Sequence, residues 1–320
     1  MADDYDKFKE KMEIWKECIS GKDQNSIINQ LSTMSWNAAV FRVINEARKN
    51  AATNEKGEFK LNAMVHNFIN NCFFENQITT IRRLTDNYPI YGEMGVYSLV
   101  SLLQDMKKNI KLLTRANIIK INGLEYDPEP VKAKFYQYMH EQMKNGNTTC
   151  SIPCGLDFYG IEREHKYLDA LTQTTPEKRS FDDLVAESII DKLIAKVVSV
   201  ASNAKNHVDK YIAHSATPES REIDINDKAE DVKITLGYIY ETTKTLCQIA
   251  AFLDAYLISR ISHVGFLPIP QYNHMKYIEE PLISKEKISE LQKCWNEYQK
   301  ETETWAGWGL DKMKMEFGLN

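Results

Sequence analysis

The segment AKNHVDKYIAHSA, residues 204–216, holds the densest set of groups able to handle protons and phosphate. Asn203, His207, Lys210 and His214 recur at spacings of four, three and four. A continuing α-helix would set all four on one face. An imidazole with a near-neutral pKa can take the proton of a ribose 2′-hydroxyl. A cation beside it can offset the charge that builds on phosphorus. Because the nucleophile belongs to the RNA, such cleavage needs no metal. A plainer reading stands beside this one. A polar face near a helix end is commonly just solvated, and histidine there suits the helix dipole.

A second group lies in IRRLTDNYP, residues 81–89. Arg83 and Asp86 stand three apart, so they are expected to pair on a helix surface. An arginine at that place can also grip phosphate, and the ordinary alternative is a helix-end ion pair. Cys150 and Cys154 form a C-x3-C pair flanked by His140 and His165. That spacing is looser than zinc pairs usually show and has no second strong pair, so no metal is expected. Trp305 and Trp308 in the tail suit docking on a partner, or pinning the terminus to its own core. No phosphate-binding glycine loop, H-E-x-x-H or G-x-S-x-G occurs, which removes the NTPase, zinc-protease and serine-hydrolase classes. No cofactor is expected.

These groups need long helices to position them, and the apolar spacing supplies them. Helices are expected over residues 4–20 (Phe8, Met12, Trp15, Ile19) and 25–52 (Ile28, Leu31, Trp36, Val40, Ile44). Others are expected over 61–86 (Met64, Phe68, Cys72, Ile78), 95–120 and 130–144. Tyr88-Pro89 ends the third, because the residue before proline avoids the α region. Residues 145–180 read as irregular, with one short helix around Arg163 to Leu171. Residues 181–213 carry the clearest stripe, Val185, Ile189, Leu193, Val197, Val200, Ala204 and Val208. HSATPESREIDIND is a loop by composition, and helices follow over 227–261 and 284–305. No alternating run is long enough to be a strand. The expectation is one all-α domain over 1–320, with a core at about 25–262, an irregular insertion at 145–180, and a C-terminal helix with an aromatic tail over 263–320.

The chain has 320 residues, 43% of them hydrophobic and 27% charged, with a net charge of −5. A mildly acidic surface gives no general pull toward nucleic acid, so RNA contact would need a local basic patch. The acidic opening MADDYDKFKE is not a signal peptide. The most apolar stretch, TLCQIAAFLDAYLISRI, carries Asp254 inside it, short of the roughly 18 apolar residues of a membrane helix. Six scattered cysteines fit a reducing compartment. Together these give a cytoplasmic protein with no membrane association.

Several segments resemble one family, the AbiU-like branch of the HEPN superfamily associated with bacterial abortive infection. They are SWNAAVFRVINEARKN, ITTIRRLTDNYPIYGEMGVYSLVSLLQDM, REHKYLDALT, HVDKYIAHSA and the following helical stretch DKAEDVKITLGYIYETTKTLCQIAAFLDAYLI. The likeness covers most of residues 30–260, as order and pattern. It implies an HEPN-like helical bundle with additional N- and C-terminal helices, often dimeric, whose R-x4-6-H motifs line a cleft and cut RNA without metal. His214 matches the motif histidine and Asp209 its polar residue. The arginine falls at Val208 or at Asp209 itself, and neither is basic.

Two readings stay open. In one, His214 is the general base or acid of a metal-independent endoribonuclease, His207, Lys210 and Arg83 supply charge, and Asp209 and Asp86 orient the cations, with Asn203 beside them. In the other, a helical module binds RNA or a partner protein of a defence system without cutting. A purely structural helical protein of a phage or mobile element is a third. The implied partners are RNA, a second copy of the chain, and a defence-system protein.

Overall fold

The computed structural model describes residues 2–146, 151–153, 155–213, 234–258, 266, 268–269, 273–281, 284–303 and 305. The fold is all-α, with ten α-helices among the described residues. They are α1 (Ala2–Ser20), α2 (Ile27–Lys49), α3 (Ala63–Arg83), α4 (Leu99–Lys108), α5 (Arg115–Ile121), α6 (Pro128–Lys144), α7 (Phe158–Thr172), α8 (Glu187–His207), α9 (Leu236–Leu253) and α10 (Ile288–Glu303). Two isolated bridges, Thr53 with Phe59 and Thr114 with Leu184, are the only β pairing among these residues. The chain divides into two compact units, residues 1–268 and 269–320. The second unit contains α10, whose Ile288, Leu291, Trp295 and Tyr298 are exposed. No helix among the described residues is long and apolar enough to cross a membrane.

In the first unit, α8 packs against α3, α4 and α9, while α2 lies against α1, α3 and α9. The α1 stripe does what its spacing predicts: Phe8, Met12, Trp15 and Ile19 are all fully buried. Each such side chain stabilises the fold by about 1.5–3 kcal/mol relative to exposure. The indole N–H of Trp15 donates to Asp105 Oδ2 at 2.8 Å, and Lys11 Nζ donates to the same carboxylate at 3.1 Å. This buried carboxylate on α4 is therefore satisfied by α1, as burial of a charge demands.

The helix expected over 95–120 is broken. It ends at Asn109, passes through a 3₁₀ turn at Ile110–Leu112, and restarts at α5 after Thr114. The Thr114 hydroxyl caps α5 by accepting from the Asn117 N–H at 3.2 Å. Burial is also uneven along α2 and α3. Leu31 and Ile78 are in the core, but Trp36, Val40, Met64 and Phe68, which share the same helical spacing, are exposed. The helix expected around Arg163 to Leu171 starts earlier. Asp157 caps it through Gly160 N at 2.8 Å, and α7 then runs to Thr172. The expected irregular insertion thus contains a full helix of four turns.

A buried ion cluster fastens α5 to α7. Arg115 is wholly inaccessible. Its Nε donates to Asp183 Oδ2 at 2.8 Å, its Nη2 to Thr172 Oγ1 at 3.0 Å, and its Nη1 lies 3.3 Å from both the carbonyl and Nδ1 of His165. Asp169 reaches Nη2 at 3.0 Å and also takes two bonds from Arg179, at 2.9 and 2.6 Å. His165 Nε2 donates to the Tyr126 carbonyl at 2.8 Å, which leaves Nδ1 as the acceptor for Arg115. Burial, Arg179 and Arg115 all lower the His165 pKa, against the pull of the Tyr126 carbonyl bond. Burial opposes the charge on Asp169, but Arg179 and Arg115 outweigh it and hold that carboxyl below its ordinary value.

Candidate functional site

The end of α8 is where the chemistry-bearing segment sits, and its backbone departs from a plain α-helix. The α-helical pattern stops at His207, and Val208–Ala213 continue as a π-helical turn. Such turns are uncommon and occur often at functional sites. Two side chains of α9 enter α8 just before it. The Thr242 hydroxyl donates to the Val200 carbonyl at 3.1 Å, and the Ala204 N–H donates to the Tyr238 hydroxyl at 2.9 Å. Side-chain insertion of this kind into a helix ladder is an established cause of local distortion. The apolar stripe nevertheless persists through it, since Ala204 and Val208 are both buried.

His207 lies half-buried, with its ring stacked on that of Tyr211 at 4.8 Å between centroids and 27° between planes. Its Nδ1 is buried with no hydrogen-bond partner among the described residues. Burial pushes its pKa down, while the Glu75 carboxylate pulls the other way. A neutral imidazole at neutral pH is the form that can accept a proton. Asn203, Asp209 and Lys210 are half-buried beside it in sequence. His214 lies outside the described residues, so the four-member face expected from the spacing is described only through Lys210.

The cation that meets this segment is Arg82. Its Nε donates to Asp209 Oδ1 at 3.2 Å, and its Nη1 makes a short bond to Asp86 Oδ1. Burial disfavours its charge, but Asp86 and Asp209 overcome that and hold the guanidinium more firmly protonated than usual. The expected pairing of Arg83 with Asp86 is therefore corrected: Asp86 belongs to Arg82, four residues before it. Arg83 is exposed, and its Nη2 donates to Thr80 Oγ1 at 3.0 Å. Both i,i+3 and i,i+4 neighbours can meet on a helix, and here the i,i+4 pair forms.

Asp86 is itself held in place. Its carbonyl accepts from the Ser98 and Ser101 hydroxyls at 2.5 and 2.9 Å, and Ser98 caps α4 through Ser101 N at 2.9 Å. Arg83 and Asp86 also line a polar cleft with Asp23, Asn25, Gln30 and Tyr97. The structure thus joins Arg82, Asp86 and Asp209 directly and places Arg83 on the adjoining cleft. Sequence reasoning gives the role of Arg82 to Arg83, and it passes over Tyr211 and Tyr238. The i,i+4 spacings of Arg82 with Asp86 and of His207 with Tyr211 are the signals that could have found them.

Cys150 and Cys154 lie outside the described residues, and His165 serves the Arg115 cluster. Among the described residues, no group of three His, Cys, Asp or Glu side chains is placed to hold a metal ion. Chemically, the α8 end offers a neutral imidazole, a fixed guanidinium and two carboxylates that aim it. No protein-family model matches this chain, and no curated protein or solved structure matches it either.

Proposed function

We propose that this chain is an HEPN-like protein of a prokaryotic defence or stress response that cleaves RNA without a metal at the end of α8. The observation that supports this reading is the Arg82–Asp209 pair. The resemblance calls for an arginine next to the polar motif residue, and Val208 stands there instead, buried in the core. Arg82 brings a guanidinium to the same stretch from α3. In this reading His214 takes the 2′-hydroxyl proton, and Arg82 offsets phosphate charge while Asp209 and Asp86 aim it. Lys210 adds positive charge, and His207, uncharged near neutral pH, serves as a second proton acceptor. Asn203 and Arg83 hold the sugar-phosphate chain. Two copies bring their α8 ends together in the cytoplasm to form the cleft.

The test is cleavage of a single-stranded RNA in excess chelator. Wild type is expected to cut, and His214→Ala to lose about 10²-fold or more of the rate, the usual worth of a general base. Wild type that does not cut, or His214→Ala that cuts equally well, defeats the reading.

A second reading has its own supporting observation. Arg82 is already engaged by two carboxylates, and Asp209 adds negative charge where phosphate would rest. On this reading the helical surface binds RNA or a partner protein without cutting. RNA binding that persists in His214→Ala, with no cleavage in either protein, selects it.

A further inference from the structure

A cavity of about 310 Å³ lies between α2 and α9, walled on a third side by Phe73 of α3. It is independent of the groups at the α8 end. On α9, Tyr238 and Thr242 turn to α8, whereas Tyr240, Thr243, Lys244 and Cys247 line the cavity. Those four recur at spacings of three, one and three, so they form a single helix face. On α2 the lining runs from Ser35 to Asn45, roughly 15 Å of helix at 1.5 Å per residue. The space is therefore elongated, and its volume falls within the range of small-molecule sites.

Most of the lining is apolar, with Ala38, Ala39, Phe41 and Ile239 among it. Phe41 and Phe73 stack at 3.9 Å with their planes 2° apart, which gives a flat, rigid wall. Cys247 adds no charge, because burial pushes its thiol pKa up to about 12. Among the polar lining groups, three bear on the choice of ligand. The Thr243 hydroxyl oxygen is buried with no partner among the described residues, a cost that a bound acceptor or donor would remove. Arg42 lies over the Tyr240 ring at 5.2 Å, with no carboxylate paired to it among the described residues. Lys244 has only an exposed pairing with Glu241 at 3.7 Å. Two cations at a long apolar slot select a ligand with an apolar tail and an anionic head, and they disfavour a cationic one.

We propose that this cavity binds a medium-chain fatty carboxylate, with its tail along Phe41 and Ile239 and its head at Arg42, Lys244 and the Thr243 hydroxyl. The test is calorimetric titration of the whole chain with sodium decanoate, and with decyltrimethylammonium as a cation of comparable tail length. Decanoate is expected to bind saturably at one site and the cation not to. Arg42→Gln with Lys244→Gln is expected to weaken decanoate about tenfold or more. Ala39→Trp, which fills the slot, is expected to abolish binding with helical content unchanged. Arg42→Gln alone, a surface change, carries the test if Ala39→Trp disturbs the fold. Absence of saturable decanoate binding, equal binding of the cation, or indifference to loss of both positive charges overturns the proposal.

Discussion

Arg115 and Arg82 each hold two carboxylates, in opposite surroundings. Arg115 is sealed from solvent, and every face of its guanidinium is used by Asp169, Asp183, Thr172 or His165. The Arg82 side chain keeps 28% of its surface exposed, and it meets Asp86 and Asp209 in the same half-open setting. A wholly buried guanidinium with every donor engaged has nothing left to offer another partner, so it fixes geometry. A half-exposed one loses less when a bond is broken, since water replaces it. The first arrangement suits a fastening between elements. The second suits a group that must let go of one partner to take another.

Removing one member should separate the two sharply. Arg115→Ala leaves Asp183 without its cation and Asp169 with Arg179 alone, and it empties a wholly enclosed guanidinium site; losing such a buried partner costs about 3–5 kcal/mol. Urea unfolding of that variant should show a midpoint far below that of the unaltered chain. Arg82→Ala should cost only about 1 kcal/mol, because its pairs are partly screened by solvent. Its signature should be local, as faster amide exchange over residues 208–213 with the rest of the fold protected. Equal losses from the two variants would erase the distinction between them.

Acid should sharpen it further through smaller effects. His165 and His207 both have pKa values held below the ordinary 6.5 by burial. The unfolded chain therefore takes up these protons first. Their contribution to stability is complete above about pH 6.5 and is lost as pH falls through their lower folded values. Asp169 follows at lower pH, since its stabilising contribution is present above 3.8 and disappears as it protonates below that. His165→Asn should flatten the upper part of the unfolding profile, as it removes the imidazole of the Arg115 cluster. His207→Asn should flatten it less and leave the Asp169 region unchanged.

Much of the fold is legible in the sequence because helical periodicity is a local property. The α1 stripe of Phe8, Met12, Trp15 and Ile19 needs only spacing to be assigned, and all four are in the core. Periodicity cannot say what lies opposite a stripe: Met64 and Phe68 share the helical spacing of Ile78 but are exposed while Ile78 is buried. The break at Asn109 is hidden because its causes include the Thr114 cap and a bridge from Thr114 to Leu184 far along the chain. The site is harder for the same reason. Arg82 meets Asp209 across 127 residues, and no local pattern specifies that meeting. Choosing Arg83 in place of Arg82 is a slip of one residue, yet on a helix it turns the side chain by about 100°.

The bond between Trp15 and Asp105 spans 90 residues, and it sets a schedule for the nascent chain. At synthesis rates of about 5–20 residues per second, the first helix waits roughly 5–20 s before its carboxylate partner has been made. Throughout that interval α1 has α2 to pack against, but Lys11 and Trp15 lack their carboxylate acceptor. Final seating of α1 therefore waits for α4, whatever local helix forms before it.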